Sequence, residues 1–399
     1  THLPAGHRPQ GMAPRLSALV LAAGLSSRMG RLKPLLPLDP EGGQTSLGLC
    51  VDLFRAAGMG EVVVVTGHRC DEVGPAARAA GARVVHNPDF ALGMYSSIRA
   101  GVAGLDAATD GFFLLPVDIP LVRTGTVRLL ARAFSHEPAS VLLPVFAGRR
   151  GHPPLLGREL IDRIQDSAEP AGGLRTLLDQ VEAEQPGRVR EVEVADRFIL
   201  RDMDTPADHA ACAAELASRD WPSPAEAEAI LAHLHPMPAR GLAHGRCVGE
   251  VAALLADHLV RATGRPLSVE LCRVSGLLHD LAKGQPEHER AGARWLHELG
   301  FPRAAAIVAA HRDLDWQPGT GLTEREIVHL ADKLVRGSRI VPVQARFAEK
   351  LALYEHDTQA VAAIEHRRRV AEQLAAAVES ALGRPLDDLL ATAEGPWTT

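Results

Sequence analysis

At Trp221-Pro222-Ser223-Pro224 the chain changes character, and this break commits it to two domains of different class. Two prolines within three residues stop a helix or a strand. Before them, apolar runs rich in β-branched and aromatic residues alternate with helical patterns. Residues 18–22, 62–65, 83–85, 112–115 and 141–145 read as strands, and 46–57, 96–104 and 126–134 as helices. Continuous apolar runs of this kind predict a mostly parallel sheet covered on both faces. Val192 and Val194 alternate with acids, as on a half-exposed edge strand. After the break only helical spacing remains. Val248, Val251, Leu255 and Leu259 share one face, as do Val274, Leu277, Leu278 and Leu281, which predicts an all-α bundle. The expected division is a flexible leader over 1–15, an α/β domain over 16–219, a linker over 220–226, a helical domain over 227–390 and a tail over 391–399.

Charge and composition narrow the partners. The 43 basic and 49 acidic residues leave a net charge of -6, so no basic excess favours nucleic acid. Aromatic residues are only 4%, too few for a base-stacking surface. Five cysteines lie scattered without a CxxC pair, which argues against disulfides or a zinc–thiolate site and suits a reducing cytoplasm. The apolar run at 19–24 is too short to span a bilayer, so no membrane partner is expected.

Two features carry chemistry in the first half. Leu21-Ala22-Ala23-Gly24 follows the first strand, and small residues there let backbone N–H groups approach a nucleotide. Arg28 and Lys33 follow with positive charge for a triphosphate. Neither GxxxxGK[ST] nor GxGxxG is present. Asp118 stands just past the 112–115 strand, at the strand end where ligands bind in open α/β sheets, and a carboxylate there suits Mg²⁺. The bland alternatives are a glycine loop with two solvated cations and a helix-capping aspartate.

Over residues 16–210 this half resembles the nucleotidyltransferases of the molybdenum-cofactor type. The resemblance rests on LAAGLSSRMGRLK, on Thr66-Gly67-His68, on Asn87-Pro88 with Gly93-Met94-Tyr95-Ser96-Ser97-Ile98-Arg99, on Asp118, on Arg150-Gly151-His152-Pro153 and on Asp202-Met203-Asp204-Thr205-Pro206-Ala207-Asp208. It implies a Rossmann-like sheet and in-line transfer of a nucleotidyl group from CTP to molybdopterin, with pyrophosphate leaving. LAAG rather than LAGG resembles the cytidylyltransferase branch, so Ala23 carries the choice of CTP over GTP. Leu21, Ala22, Ala23, Gly24 and Gly67 would line the nucleotide, Arg28 and Lys33 hold the triphosphate, and Asp118 and Asp204 hold Mg²⁺. Ser96 and Ser97 either contact substrate or cap a helix. His152 either touches the acceptor or is a loop histidine. Transfer of another NTP, or transfer onto a sugar phosphate, stays open.

In the second half, His244, His279, Asp280, His288, His311 and Asp332 stand out. His244 lies one turn before Val248, His311 one turn after Ile307 and Asp332 one turn after Val328, which points all three inward. Several inward polar groups in an apolar bundle must be satisfied, and one or two divalent metals such as Mn, Fe, Ni or Zn would satisfy them together. The order His…His-Asp…His…His…Asp and the run Gly276-Leu277-Leu278-His279-Asp280-Leu281-Ala282-Lys283-Gly284 resemble the HD-domain metal-dependent phosphohydrolases. That resemblance implies His244, His279, Asp280 and Asp332 as ligands of a first metal and adds His288 and His311 for a second. Lys283 either meets a phosphate or is a surface lysine. A non-catalytic regulatory module, or one that docks a client molybdoenzyme, is the alternative for this half.

Overall fold

The computed structural model describes residues 13–25, 29–39, 41–137, 139–166 and 170–391. Most of the expected leader, Arg28 and nearly all of the expected tail lie outside these residues. The chain forms two compact units, Thr1–Ser218 and Arg219–Thr399.

The first unit is a sheet of β1 (Leu16–Ala22), β2 (Glu61–Thr66), β3 (Arg83–His86), β4 (Gly111–Pro116), β5 (Val141–Phe146), β6 (Arg149–Arg150), β7 (Leu155–Gly157) and β8 (Val189–Glu193). Its order is β3-β2-β1-β4-β7-β5-β6, with β8 on β5. β1, β2, β3 and β4 run parallel, and β8 is parallel to β5. β7 runs antiparallel between β4 and β5. Its helices are α1 (Ser46–Ala56), α2 (Cys70–Ala79), α3 (Met94–Ala103), α4 (Thr124–His136), α5 (Arg158–Asp166), α6 (Gly173–Glu184) and α7 (Pro206–Leu216).

Strand alternation divides the core. Leu19, Leu21, Val63, Val65, Phe112 and Leu114 pack with Tyr95, Ile98 and Val102 of α3. Phe113 points the other way, its ring 5.7 Å from that of Phe54 on α1. A fully buried pair, Arg123 to Asp196 at 2.9 Å, ties the start of α4 to the loop after β8. Asp196 also accepts from Thr126 Oγ1 and the Arg123 N–H, so the buried charge is well satisfied.

The second unit comprises α8 (Pro224–Ala229), α9 (Ala239–Thr263), α10 (Val269–Leu278), α11 (His288–Leu299), α12 (Pro302–Ala309), α13 (Glu324–Lys333), α14 (Val343–Leu353), α15 (Thr358–Leu382) and α16 (Leu386–Ala391). One hairpin, β9 (Val335–Arg336) with β10 (Arg339–Ile340), interrupts the expected all-α pattern. Gly337 turns it with φ 61°. Helices α9 and α10 cross at glycine. A Cβ on Gly276 would lie 2.7 Å from the Gly249 Cα, and one on Gly245 would lie 2.5 Å from the Leu277 carbonyl oxygen. Only hydrogen fits between these backbones.

Candidate functional site

In the first unit the site forms at the carboxyl ends of β1 and β4. A cavity of about 390 Å³ is lined by Leu21, Ala22, Ala23, Gly24, Lys33, Ser97 and Asp118. Lys33 opens a short turn with Pro34 behind it. Asp204 precedes α7, whose start is fixed by a capping box between Thr205 and Asp208 with Pro206 in the first turn. The ammonium of Lys33 bridges two acids, 2.5 Å from Asp204 Oδ1 and 3.3 Å from Asp118 Oδ2. Two carboxylates that converge on one cation are a donor set suited to Mg²⁺.

Not every expected residue joins them. Ser96 hydrogen-bonds the Asp89 and Gly93 carbonyls and receives Asn87 Nδ2, so its hydroxyl is spent on the loop before α3. Ser97 also receives Asn87 Nδ2 but lines the cavity. Gly67 stands behind the wall, where a Cβ would meet Phe90 at 2.5 Å and Ala23 at 2.9 Å. Its service there is close packing. His152 lines a second cavity of about 540 Å³ with Arg150, Arg175 and Asp179, and Leu21, Met94 and Pro116 line both cavities. Burial lowers the pKa of His152 against the pull of Asp118 and Asp202, and its Nδ1 has no hydrogen-bond partner.

The second unit gathers all six expected metal-ligating residues. His244 comes from α9, His279 and Asp280 follow α10, His288 begins α11 and Asp332 ends α13. His311 is not on α12, which ends at Ala309; the chain turns there and carries the buried imidazole inward from the following loop. The groups His244–His279–Asp280 and Asp280–His288–His311 each hold their ligand atoms within 4.8 Å of one another. His244 Nε2 is 3.3 Å and His279 Nε2 3.5 Å from Asp332 Oδ1. Asp280 serves both groups, with Oδ2 3.6 Å from His279 and Oδ1 3.4 Å from His288 and 3.7 Å from His311. These separations lie at or slightly above the edges of a coordination polyhedron, roughly 3.0–3.4 Å for bonds near 2.1 Å.

Backbone carbonyls set the tautomers. The Nδ1 atoms of His244, His279 and His311 donate to Gly337 (2.8 Å), Gly276 (2.7 Å) and Val308 (2.7 Å), which leaves each Nε2 facing inward. The buried His279 Nε2 has no hydrogen-bond partner. Burial opposes protonation of His279, but Asp332 and then Asp280 outweigh it and raise its pKa, so without an ion the ring favours the protonated form. A divalent cation would take the place of that proton between the two carboxylates, and imidazole with carboxylate suits first-row metals. Burial would raise the Asp280 carboxyl, but His279 and Lys283 pull it down to about 2. Burial likewise opposes Asp332, yet Lys333, His244 and His279 hold it well below the carboxylate range. Burial lowers His311 to about 4, helped by His279, so its ring is neutral at physiological pH.

Lys283 has a 62% exposed side chain, and its ammonium reaches Asp280 Oδ2 at 2.5 Å. The sequence reading missed Lys333, which binds Asp332 at 2.6 Å and the His311 carbonyl at 3.0 Å. Its place directly after Asp332 was the available signal.

Two family models match. Residues 18–186 match the MobA-like NTP transferase domain, and residues 241–337 match the HD domain. The chain belongs to the MobA-like NTP transferase family and carries an HD domain. Nicotine blue oxidoreductase of Paenarthrobacter nicotinovorans is 31% identical over 202 residues, 48% of this chain and 93% of that protein. Molybdenum cofactor cytidylyltransferase of Escherichia coli is 28% identical over 197 residues, again 48% of this chain and 93% of that protein. A nucleotidyl transferase from Methanothermobacter thermautotroptrophicus is 27% identical in a superposition covering 51% of this chain and 98% of that one, with TM-score 0.44. The first half is thus a nucleotidyltransferase, and the HD domain is consistent with a phosphohydrolase. Among the described residues, no helix is long and apolar enough to cross a membrane.

Proposed function

We propose that the first half is a CTP:molybdopterin cytidylyltransferase and the second half a metal-dependent phosphohydrolase. The observation that carries the first reading is the convergence of Asp118, Asp204 and Lys33 beside the small-residue loop. The two curated relatives bear different activities in their names, so kinship alone does not choose the reaction. A nucleotide cavity that shares a wall with a second, partly apolar cavity favours transfer between two bound substrates.

The acceptor's terminal phosphate oxygen attacks the α-phosphorus of CTP, the bond to the bridging oxygen breaks, and pyrophosphate leaves. Leu21, Ala22, Ala23 and Gly24 take the nucleotide. Asp118 and Asp204 would hold Mg²⁺, which when bound offsets phosphate charge. With those acids so engaged, Lys33 turns to the triphosphate. Arg28 completes its neutralisation, and His152 with Arg150 receives the acceptor. Expected is a loss of at least ~100-fold in pyrophosphate release for Lys33→Ala or Asp118→Ala, with CTP used better than GTP, ATP or UTP and molybdopterin better than a sugar phosphate. Release at the wild-type rate in either variant, or preference for GTP, overturns the reading.

In the helical half, His244, His279, Asp280 and Asp332 would hold one divalent metal and Asp280, His288 and His311 a second. Such ions, when bound, act as Lewis acids on a phosphoryl oxygen. Lys283 stands by for phosphate, while the carbonyl-anchored imidazoles keep the ligand atoms oriented.

A further inference from the structure

Asp280, His288, His311 and Asp332, four of the six candidate metal-ligating residues, line a larger cavity. It measures about 590 Å³, and besides the ligands it is lined by Lys283, Arg312, Lys333, Arg346, Lys350 and Arg367. Four of these six cations have carboxylate partners. Lys283 pairs with Asp280 and Lys333 with Asp332, Arg312 lies near Glu289 and Asp313, and Arg367 holds Asp313. Arg346 and Lys350 have no carboxylate partner among the described residues. They lie four residues apart on α14, on one face, and share the cavity wall with Arg367 of α15. Arg346 Nε is buried without a hydrogen-bond partner. Lys350 is itself exposed, and its pKa is lowered, first by desolvation and then by Arg346 and Lys333, against the pull of Asp332.

A single solvated lysine or arginine means nothing, but like charges held together in a concave wall repel unless an anion lies among them. A phosphoryl group at the metal end would leave Arg346 and Lys350 without a counter-charge. A second, linked phosphoryl group supplies it. Both helices lie after residue 337, where the match to the HD domain ends, so this wall is additional to the matched domain.

We propose that the helical cavity selects molecules with a phosphoanhydride, two or more linked phosphoryl groups, over simple phosphomonoesters, with Arg346 and Lys350 holding the group that is not attacked. The substrate assignment rests on the phosphohydrolase reading above. The oxygen of one water bonds to the terminal phosphorus, the anhydride P–O bond breaks with its electron pair leaving on the departing phosphate, and the water proton passes to solvent.

The test uses the full chain carrying Lys33→Ala, to weaken the polyphosphate site of the first half, and reads binding by calorimetry. Methylenediphosphonate, which cannot be hydrolysed, is expected to bind at least ~10-fold more tightly than inorganic phosphate. Adding Arg346→Ala with Lys350→Ala should cost methylenediphosphonate at least ~10-fold and phosphate less than ~3-fold, with metal per chain unchanged. The charge-preserving pair Arg346→Lys with Lys350→Arg should keep the preference. Equal affinities before the α14 substitutions, or a preference that survives the double alanine variant, overturns the proposal. Turnover of CTP, inorganic pyrophosphate and a diphosphate-bridged dinucleotide against CMP then separates the sources of the anhydride. If methylenediphosphonate binds as expected but no compound is hydrolysed at any metal loading, the hydrolase reading falls and the polyphosphate site stands.

Discussion

His329 on α13 is 1% exposed, its Nε2 has no hydrogen-bond partner, and its Nδ1 lies 3.4 Å from the Ala310 carbonyl oxygen. Burial, and then the charge of Lys333, pushes its pKa down to about 3. An unfolded histidine titrates near 6.5. Between these values the unfolded chain binds more protons than the folded one, so stability is full above about pH 6.5 and declines as pH falls toward about 3. With the metal chelated, the urea midpoint of the helical unit is expected to fall between pH 7.5 and 4.5, with His329 contributing on the order of a few kcal/mol. His329→Leu should flatten that decline, and an unchanged slope in this variant would refute the assignment. Residue by residue, the clustering of the candidate ligands was legible because their order and the His279-Asp280 dyad survive in a linear string. Arg346, Lys350 and Arg367 were not, because a cation on a polar helix face carries no mark of the cavity it lines.

At the scale of elements, the spacing of the metal-ligating residues depends on how closely α9 and α10 approach. Gly245, Gly249 and Gly276 let the two backbones touch, and the crossing sets the His244 and His279 rings 5.1 Å apart. Gly276→Ala would place a methyl against the Gly249 backbone, which cannot yield as a side-chain tip does. Expected are a loss of about 1–3 kcal/mol and weaker metal retention under dialysis. Gly241→Ala, facing only the flexible end of Met237, should leave both unchanged. Metal retained at the wild-type level in Gly276→Ala would show that the crossing does not govern the site. The central parallel strands were readable as continuous apolar runs, and α1, α3 and α4 by their apolar spacing, whereas α2, α5, α6 and α7 were not read. Nor was β7, since three residues after Pro153-Pro154 are too short to display a period. The same brevity hid the β9–β10 hairpin. The helical period also mislocated the cause of His311 burial, because α12 has ended before that residue, and a loop bonded to Val308 brings it in.

For the whole molecule, the division at Ser218–Arg219 leaves each unit with its own hydrophobic interior and its own ligand chemistry. Calorimetry is expected to resolve two transitions. CTP with Mg²⁺ at about 100 times its Kd should stabilise one unit by about 2.7 kcal/mol, roughly 5–11 °C, and leave the other in place. A transition-metal chelator such as phenanthroline should lower only the second. One transition moved by both treatments would refute this independence. The Nε2 atoms of His244, His279 and His311 are locked inward by main-chain carbonyls and cannot turn away when their ion is withdrawn. On the proposed reading, scarcity of transition metal would silence the helical half first, while a first half that used magnesium went on working.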